Sequence, residues 1–129
     1  MVRFSDLKIG QDLIQSLWEE GIKEPFDVQI EAIPPAMQGK DICCRAPTGS
    51  GKTLAFGLPL IERTSKADSR RPTSLVLTPT RELAEQIRSV LDPLASKYGM
   101  DVLSVYGGTS YGKQRSSLDR GVEILVACP

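Results

Sequence analysis

An eight-residue segment, Ala46-Pro47-Thr48-Gly49-Ser50-Gly51-Lys52-Thr53, constrains this chain more than any other feature. It lies between a short apolar run, Ile42-Cys43-Cys44-Arg45, and a stretch of helical pattern from Gly51 to about Glu62. A turn leading from a strand into a helix is the setting that a phosphate-binding loop requires. Its glycines let the backbone fold back with N–H groups pointing inward, where they and the helix N-terminus surround phosphate oxygens. Lys52 then supplies a charge for the β and γ phosphates, and the Thr53 hydroxyl a ligand for Mg²⁺. Ala46 stands where the common G-x-x-x-x-G-K-S/T pattern begins with glycine. Alone, such a loop implies a bound nucleoside triphosphate and leaves kinases, transporters, GTPases and motor ATPases open.

The remaining pattern predicts strands alternating with helices. Leu13, Ile14, Leu17 and Trp18 share a helical face that ends at Glu20 before Gly21, and a second short helix is expected over about Asp27 to Ile33. Ile42 to Arg45 reads as the first strand and Ser74 to Leu77 as the second, with Ser65 to Thr73 an exposed loop between. Leu83, Ile87, Val90, Leu91 and Leu94 recur at helical spacing over Thr80 to Lys97. Asp101 to Tyr106 and Val122 to Ala127 are further strands, separated by Gly107-Gly108 and a polar segment able to form a short helix. This alternation predicts an α/β fold with a parallel sheet. Residues 1–40 group as N-terminal helices and 41–129 as the sheet-bearing part.

Composition narrows the class. At 129 residues, 40% hydrophobic and 25% charged, the chain has the make-up of an ordinary globular domain. Its longest apolar stretch, Leu54 to Ile61, contains Gly57 and Pro59 and is far shorter than the roughly 18 residues of a membrane helix. Arg3, Asp6, Lys8 and Asp12 interrupt the region a secretory signal would need, so a cytoplasmic location is expected. Cys43 and Cys44 are adjacent and would point to opposite faces of a strand; with Cys128 they are expected to be buried free thiols. Sixteen basic residues balance sixteen acidic ones, so any nucleic-acid binding must come from local groups.

Beyond the phosphate loop, three further segments resemble the DEAD-box RNA helicases, ATP-dependent enzymes of two RecA-like domains. Pro79-Thr80-Arg81-Glu82-Leu83-Ala84-Glu85-Gln86 is similar to the family motif that touches the RNA backbone. Gly21 to Gln29, followed by Ala32-Ile33-Pro34, is similar to its adenine-reading glutamine motif, with Phe4 seventeen residues before Gly21 as the upstream aromatic. Gly107-Gly108 matches a glycine pair that lies near the RNA. Ala46 to Thr53 has the family's form of phosphate loop, alanine included. Departures are Ile22 in place of an aromatic, Phe26 in place of a small hydroxyl residue, and Cys128 in place of threonine at the start of a later RNA motif.

The resemblance implies a RecA-like fold, incomplete here, that binds ATP and Mg²⁺. It places Phe4, Lys23, Pro25, Gln29, Ala46, Thr48, Gly49, Ser50, Gly51, Lys52 and Thr53 at the nucleotide. Pro79, Thr80, Arg81, Gly107 and Gly108 would contact RNA without reading its sequence. The chemistry of these residues agrees: a glutamine amide pairs with adenine N6 and N7 and mismatches guanine, and an aromatic ring such as Phe4 stacks on a base. Thr80 and Arg81 combine helix-start N–H groups, a hydroxyl and a guanidinium, which suit a phosphate.

Hydrolysis needs a second carboxylate on Mg²⁺, a residue that orients water, and an arginine for transition-state charge. Asp41, Asp101 and Glu123 lie at strand starts, the wrong end of an open parallel sheet for that task. By resemblance the missing groups belong to the family's carboxylate motif and to a second RecA-like domain, so this stretch alone is expected to be inactive. The strands expected between Ile42–Arg45 and Ser74–Leu77 are missing too, which predicts an open strand edge and self-association. Two other readings stay open at this point: a phosphate-loop ATPase acting on DNA, and a noncatalytic ATP- or RNA-binding module.

Overall fold

Cap and turn chemistry fixes most helix boundaries in the computed structural model, which describes residues 1–108 and 111–129. The elements are a 3-10 turn Phe4–Leu7, α1 Gln11–Glu19, α2 Asp27–Met37, α3 Lys52–Arg63, β1 Ser74–Leu77, α4 Arg81–Ser96, β2 Val102–Val105, α5 Tyr111–Arg120 and β3 Ile124–Ala127. They gather into two compact units, Met1–Arg63 and Thr64–Pro129. Among the described residues, no helix is long and apolar enough to cross a membrane.

The first unit is helical. Leu13 and Leu17 of α1 are buried as their spacing predicts; α2 packs on α3, and Ile33 and Leu58, one from each helix, are fully buried. Trp18, placed on the same face by periodicity, is instead half exposed, with the Lys23 ammonium 4.9 Å from its ring centre. Helix α2 runs four residues beyond the expected Ile33, straight through Pro34 and Pro35. Proline's φ is itself helical, so it removes N–H donors without forbidding the path, and packing against α3 carries the helix on.

Two expectations about residues 42–45 are overturned. Ile42–Arg45 forms no strand, since the sheet among the described residues consists of β1, β3 and β2 alone. A strand exists through its neighbours' hydrogen bonds, and no ladder reaches this segment. For the same reason Cys43 and Cys44 are exposed, not buried, and Cys128 is half-buried.

The second unit holds the sheet, parallel throughout, in the order β1-β3-β2. Ser74 pairs with Ile124 and Val102 with Ile124, so β3, last in sequence, lies in the middle. Helix α4 packs on β2 and β3 through its stripe of Ala84, Ile87, Leu91, Leu94 and Ala95, against the fully buried Ile124 and Val126. The alternate residues of β1 point to the opposite face, where Leu75 and Leu77 are 55% and 65% exposed. Within the polar segment after Gly108, Tyr111–Arg120 does form a helix, α5; residues 109 and 110 lie outside the described residues.

Glu123 closes the lower end of this unit. Its carboxylate accepts from the backbone N–H of Asp101 at 2.8 Å and of Ala67 at 3.0 Å, joining three chain segments. Burial pushes the Glu123 carboxyl up, but these backbone donors and its own N–H outweigh that effect and hold it below the ordinary range.

Candidate nucleotide and nucleic-acid sites

In the first unit the phosphate loop turns tightly, with the Ser50 N–H donating to Pro47 O at 3.2 Å and the Ser50 hydroxyl to the same carbonyl. Gly51 has φ +87°, which side-chain-bearing residues rarely adopt, and a Cβ there would lie 2.7 Å from Phe26 Cδ2. Helix α3 starts at the next residue, so the N–H groups of Lys52 and Thr53 belong to a first turn with no intrahelical acceptors. Lys52, Thr48 and Gly49 are exposed; Ala46, Ser50, Gly51 and Thr53 are half-buried. Open backbone donors, an exposed ammonium and a helix N-terminus fit a polyphosphate.

Gln29 is where sequence and structure differ most instructively. Its side chain is buried, 1% exposed, and both ends of the amide are engaged. Oε1 accepts from Phe26 N–H at 2.9 Å, capping α2, and Nε2 donates to Gly51 O at 3.0 Å. The same Gly51 carbonyl receives Ala55 N–H at 3.1 Å, the first turn of α3. Gln29 thus ties the start of one helix to the phosphate loop that opens another. A glutamine amide has two donors and two acceptor sites, so one N–H and one lone pair remain for a base.

The other nucleotide candidates occupy different settings. Phe4 is 2% exposed and opens the 3-10 turn, which packs against α1 and α2. Lys23 is exposed and lies over Trp18, and Pro25 is half-buried in the segment entering α2. Phe26, where the resemblance leads one to expect a hydroxyl, is 57% exposed beside Gly51 and Gln29.

In the second unit, two segments 26 residues apart meet. Arg81 Nη1 donates to Gly107 O at 3.1 Å, and Gly108, at φ +88°, lies so near that a Cβ would be 2.7 Å from that nitrogen. Thr80 is the N-cap of α4, its hydroxyl accepting Leu83 N–H at 3.1 Å. Thr78, buried, donates through its own hydroxyl to Thr80 O at 3.1 Å and fixes the approach to the helix. Pro79, Thr80, Arg81, Gly107 and Gly108 are all exposed, so an arginine, a hydroxyl and a helix start share one accessible end of the unit. Glu85, given no role from its sequence position, binds Ser104 and Tyr106 beneath them. Its place one turn after Arg81 was the available signal.

No cluster of three or more His, Cys, Asp or Glu side chains able to hold a metal exists among the described residues.

These features define a parallel α/β domain of the phosphate-loop, RecA-like kind. The sequence profile of the DEAD/DEAH box helicases matches residues 26–129, and the chain belongs to that family. It is similar to DEAD-box ATP-dependent RNA helicase 3B, chloroplastic, of Zea mays, with 41% identity over 130 residues covering 95% of this chain and 17% of that protein. It is also similar to the RNA helicase CrhR of Synechocystis sp., 40% identical over 126 residues, 98% of this chain and 25% of the relative. Among solved structures, the ADP-bound RNA-helicase Prp28 from Chaetomium thermophilum superposes with a TM-score of 0.90 at 39% identity, over 100% of this chain and 32% of that one. A DEAD box protein from Methanococcus jannaschii gives 0.89 at 29% identity, over 100% and 35%. The chain thus spans about a sixth to a quarter of the curated relatives it matches.

Proposed function

We propose that this chain provides the ATP-binding surface and part of the RNA-contacting surface of an ATP-dependent RNA helicase, which couples ATP binding and hydrolysis to unwinding of RNA duplexes or remodelling of RNA–protein complexes. The observation that carries the reading is the phosphate loop opening α3, with Lys52 exposed at its first position and Gly51 held by Gln29. The similarity of the chain to named RNA helicases, one solved with ADP, supports adenine nucleotide as the ligand.

In this reading the N–H groups of the loop and the Lys52 ammonium hold the β and γ phosphates, and the Thr53 hydroxyl holds Mg²⁺. Mg²⁺ held there would supply positive charge opposite that developing on a transferred phosphoryl group. Gln29 offers its remaining N–H and lone pair to adenine, while Phe4, Lys23 and Pro25 shape the surroundings of that edge. Thr80 and Arg81, with the backbone of Pro79, Gly107 and Gly108, take an RNA phosphate, so recognition is independent of sequence. The remaining carboxylate, water-orienting and arginine groups come from elsewhere in the longer protein, including a second RecA-like domain as partner.

Titration with a fluorescent ATP analogue tests this. The wild-type chain should bind it and Lys52→Ala should lose most of that affinity with an unchanged circular dichroism spectrum. Equal affinity of the two would refute the assignment. Added single-stranded RNA, but not duplex DNA, should bind the second unit; the reverse preference would favour a DNA-directed ATPase.

A further inference from the structure

Glycines have no side chains by which a fold can hold them, so the position of Gly107-Gly108 is set by the residues around it. Tyr106, immediately before the pair, follows the last ladder residue of β2, whose Val105 carbonyl receives Cys128 N–H at 3.0 Å. Past that bond the chain leaves the sheet, and side chains take over. The Tyr106 hydroxyl donates to Glu85 Oε1 at 3.0 Å, and the Ser104 hydroxyl donates to the same oxygen. Ser104 and Tyr106 are two residues apart on an extended chain, so both reach the side facing α4. From α5, Gln114 Nε2 donates to Tyr106 O at 3.2 Å.

Glu85 lies one helical turn beyond Arg81, on the same face of α4. Arg81 reaches forward to Gly107 O, and Glu85 reaches across to Tyr106. Two successive residues, Tyr106 and Gly107, are therefore fastened to two successive turns of one helix. The other Glu85 oxygen accepts from Arg88 Nε at 3.0 Å, and Arg88 also faces Asp92 at 3.6 Å, so the carboxylate is braced from its own helix. Hydrogen bonds from Ser104, Arg88 and Tyr106 outweigh the effect of burial and hold the Glu85 carboxyl below its ordinary range, so it stays a charged acceptor at neutral pH.

We propose that Glu85 is a positioning residue for RNA binding, acting through Tyr106 to hold Gly107-Gly108 beside Arg81, so that one RNA phosphate can meet both. The proposal rests on the assignment of Arg81 and the glycine pair to RNA. Glu85 itself touches no RNA; it sets where the backbone donors and the guanidinium stand relative to each other. Such pre-organisation strengthens binding by removing the cost of ordering the loop on contact.

Fluorescence anisotropy with a labelled single-stranded oligouridylate, at low salt, tests the proposal alongside thermal melting and ATP-analogue affinity. Tyr106→Phe retains the ring and removes only the hydroxyl; it should weaken RNA binding about threefold to tenfold, the range of one hydrogen bond, with melting unchanged. Glu85→Ala should weaken RNA binding by at least as much, and the double variant no further, because both act through one contact. Glu85→Gln, whose amide oxygen still accepts from Ser104 and Tyr106 while its NH₂ displaces Arg88 towards Asp92, should recover most of the affinity that Glu85→Ala loses. Wild-type RNA binding by Tyr106→Phe and Glu85→Ala, with Arg81→Ala impaired, would overturn the positioning role and leave the RNA assignment standing. Wild-type binding by Arg81→Ala would overturn both. A Glu85→Gln loss equal to that of Glu85→Ala, matched by lower melting, would make Glu85 a stability residue and also overturn the proposal.

Discussion

The Gln29 side chain donates to the carbonyl oxygen of Gly51 at 3.0 Å, across 22 residues of sequence. A residue proposed to read adenine thus also braces the phosphate loop, and the two roles make different predictions. Gln29→Ala should reduce ATP affinity by about 1–3 kcal/mol, the scale of a bidentate amide-to-adenine contact. Because Gly51 also loses its brace, GTP affinity should fall too, by a smaller factor. Parallel titrations of the two nucleotides check this; an equal loss for both would make Gln29 a brace alone.

The chain itself should not turn over ATP, with or without RNA. Thr53 is the one protein ligand proposed for Mg²⁺, and phosphoryl transfer also calls for a carboxylate on the metal, a residue that orients water and an arginine. A phosphate-release assay checks the point, and RNA-stimulated turnover by the chain alone would show that a catalytic carboxylate has been overlooked.

Thr80 caps α4 and is proposed to contact RNA, and one substitution can separate the two. Aspartate caps a helix as well as threonine does but offers no donor and brings a negative charge. Thr80→Asp should therefore keep the melting temperature while abolishing most RNA binding. Thr80→Ala should lower stability by about 0.5–2 kcal/mol through loss of the bond from Leu83 N–H. Melting curves and anisotropy on both variants decide the matter.

Acid should weaken the second unit through Glu123. Its folded carboxyl lies below its ordinary range, so its contribution is fully present above the unfolded value, about 4.3, and disappears as pH falls through the lower folded value. Glu123→Gln sets an amide NH₂ against a backbone N–H of Asp101 or Ala67 and should cost about 1–3 kcal/mol at neutral pH. The variant should also lose stability less steeply than wild type between pH 5 and 3; parallel slopes in a denaturant series would exclude Glu123 as the acid-sensitive group.

Local order was legible in the residues. The phosphate loop precedes a helix because glycines and Lys52-Thr53 stand at a turn; α4 begins at Arg81 because Thr80 can cap it; β1, β2 and β3 alternate with helices and are parallel. The candidate sites could be proposed from the sequence because each of their motifs is a short contiguous run. Only the tertiary structure decided which residues meet. Arg81 with Gly107, Gln29 with Gly51, Glu85 with Tyr106 and Glu123 with Ala67 each join segments 21 to 56 residues apart, and nothing in local propensity specifies such pairs. The same holds for the failed expectations: Ile42–Arg45 has the composition of a strand, and Cys43 and Cys44 that of a core, but a strand and a core are made by neighbours. Sequence determines what each segment can do alone, through backbone geometry, capping and side-chain chemistry. Burial, sheet pairing and the geometry of a site depend on surfaces brought together from distant parts of the chain.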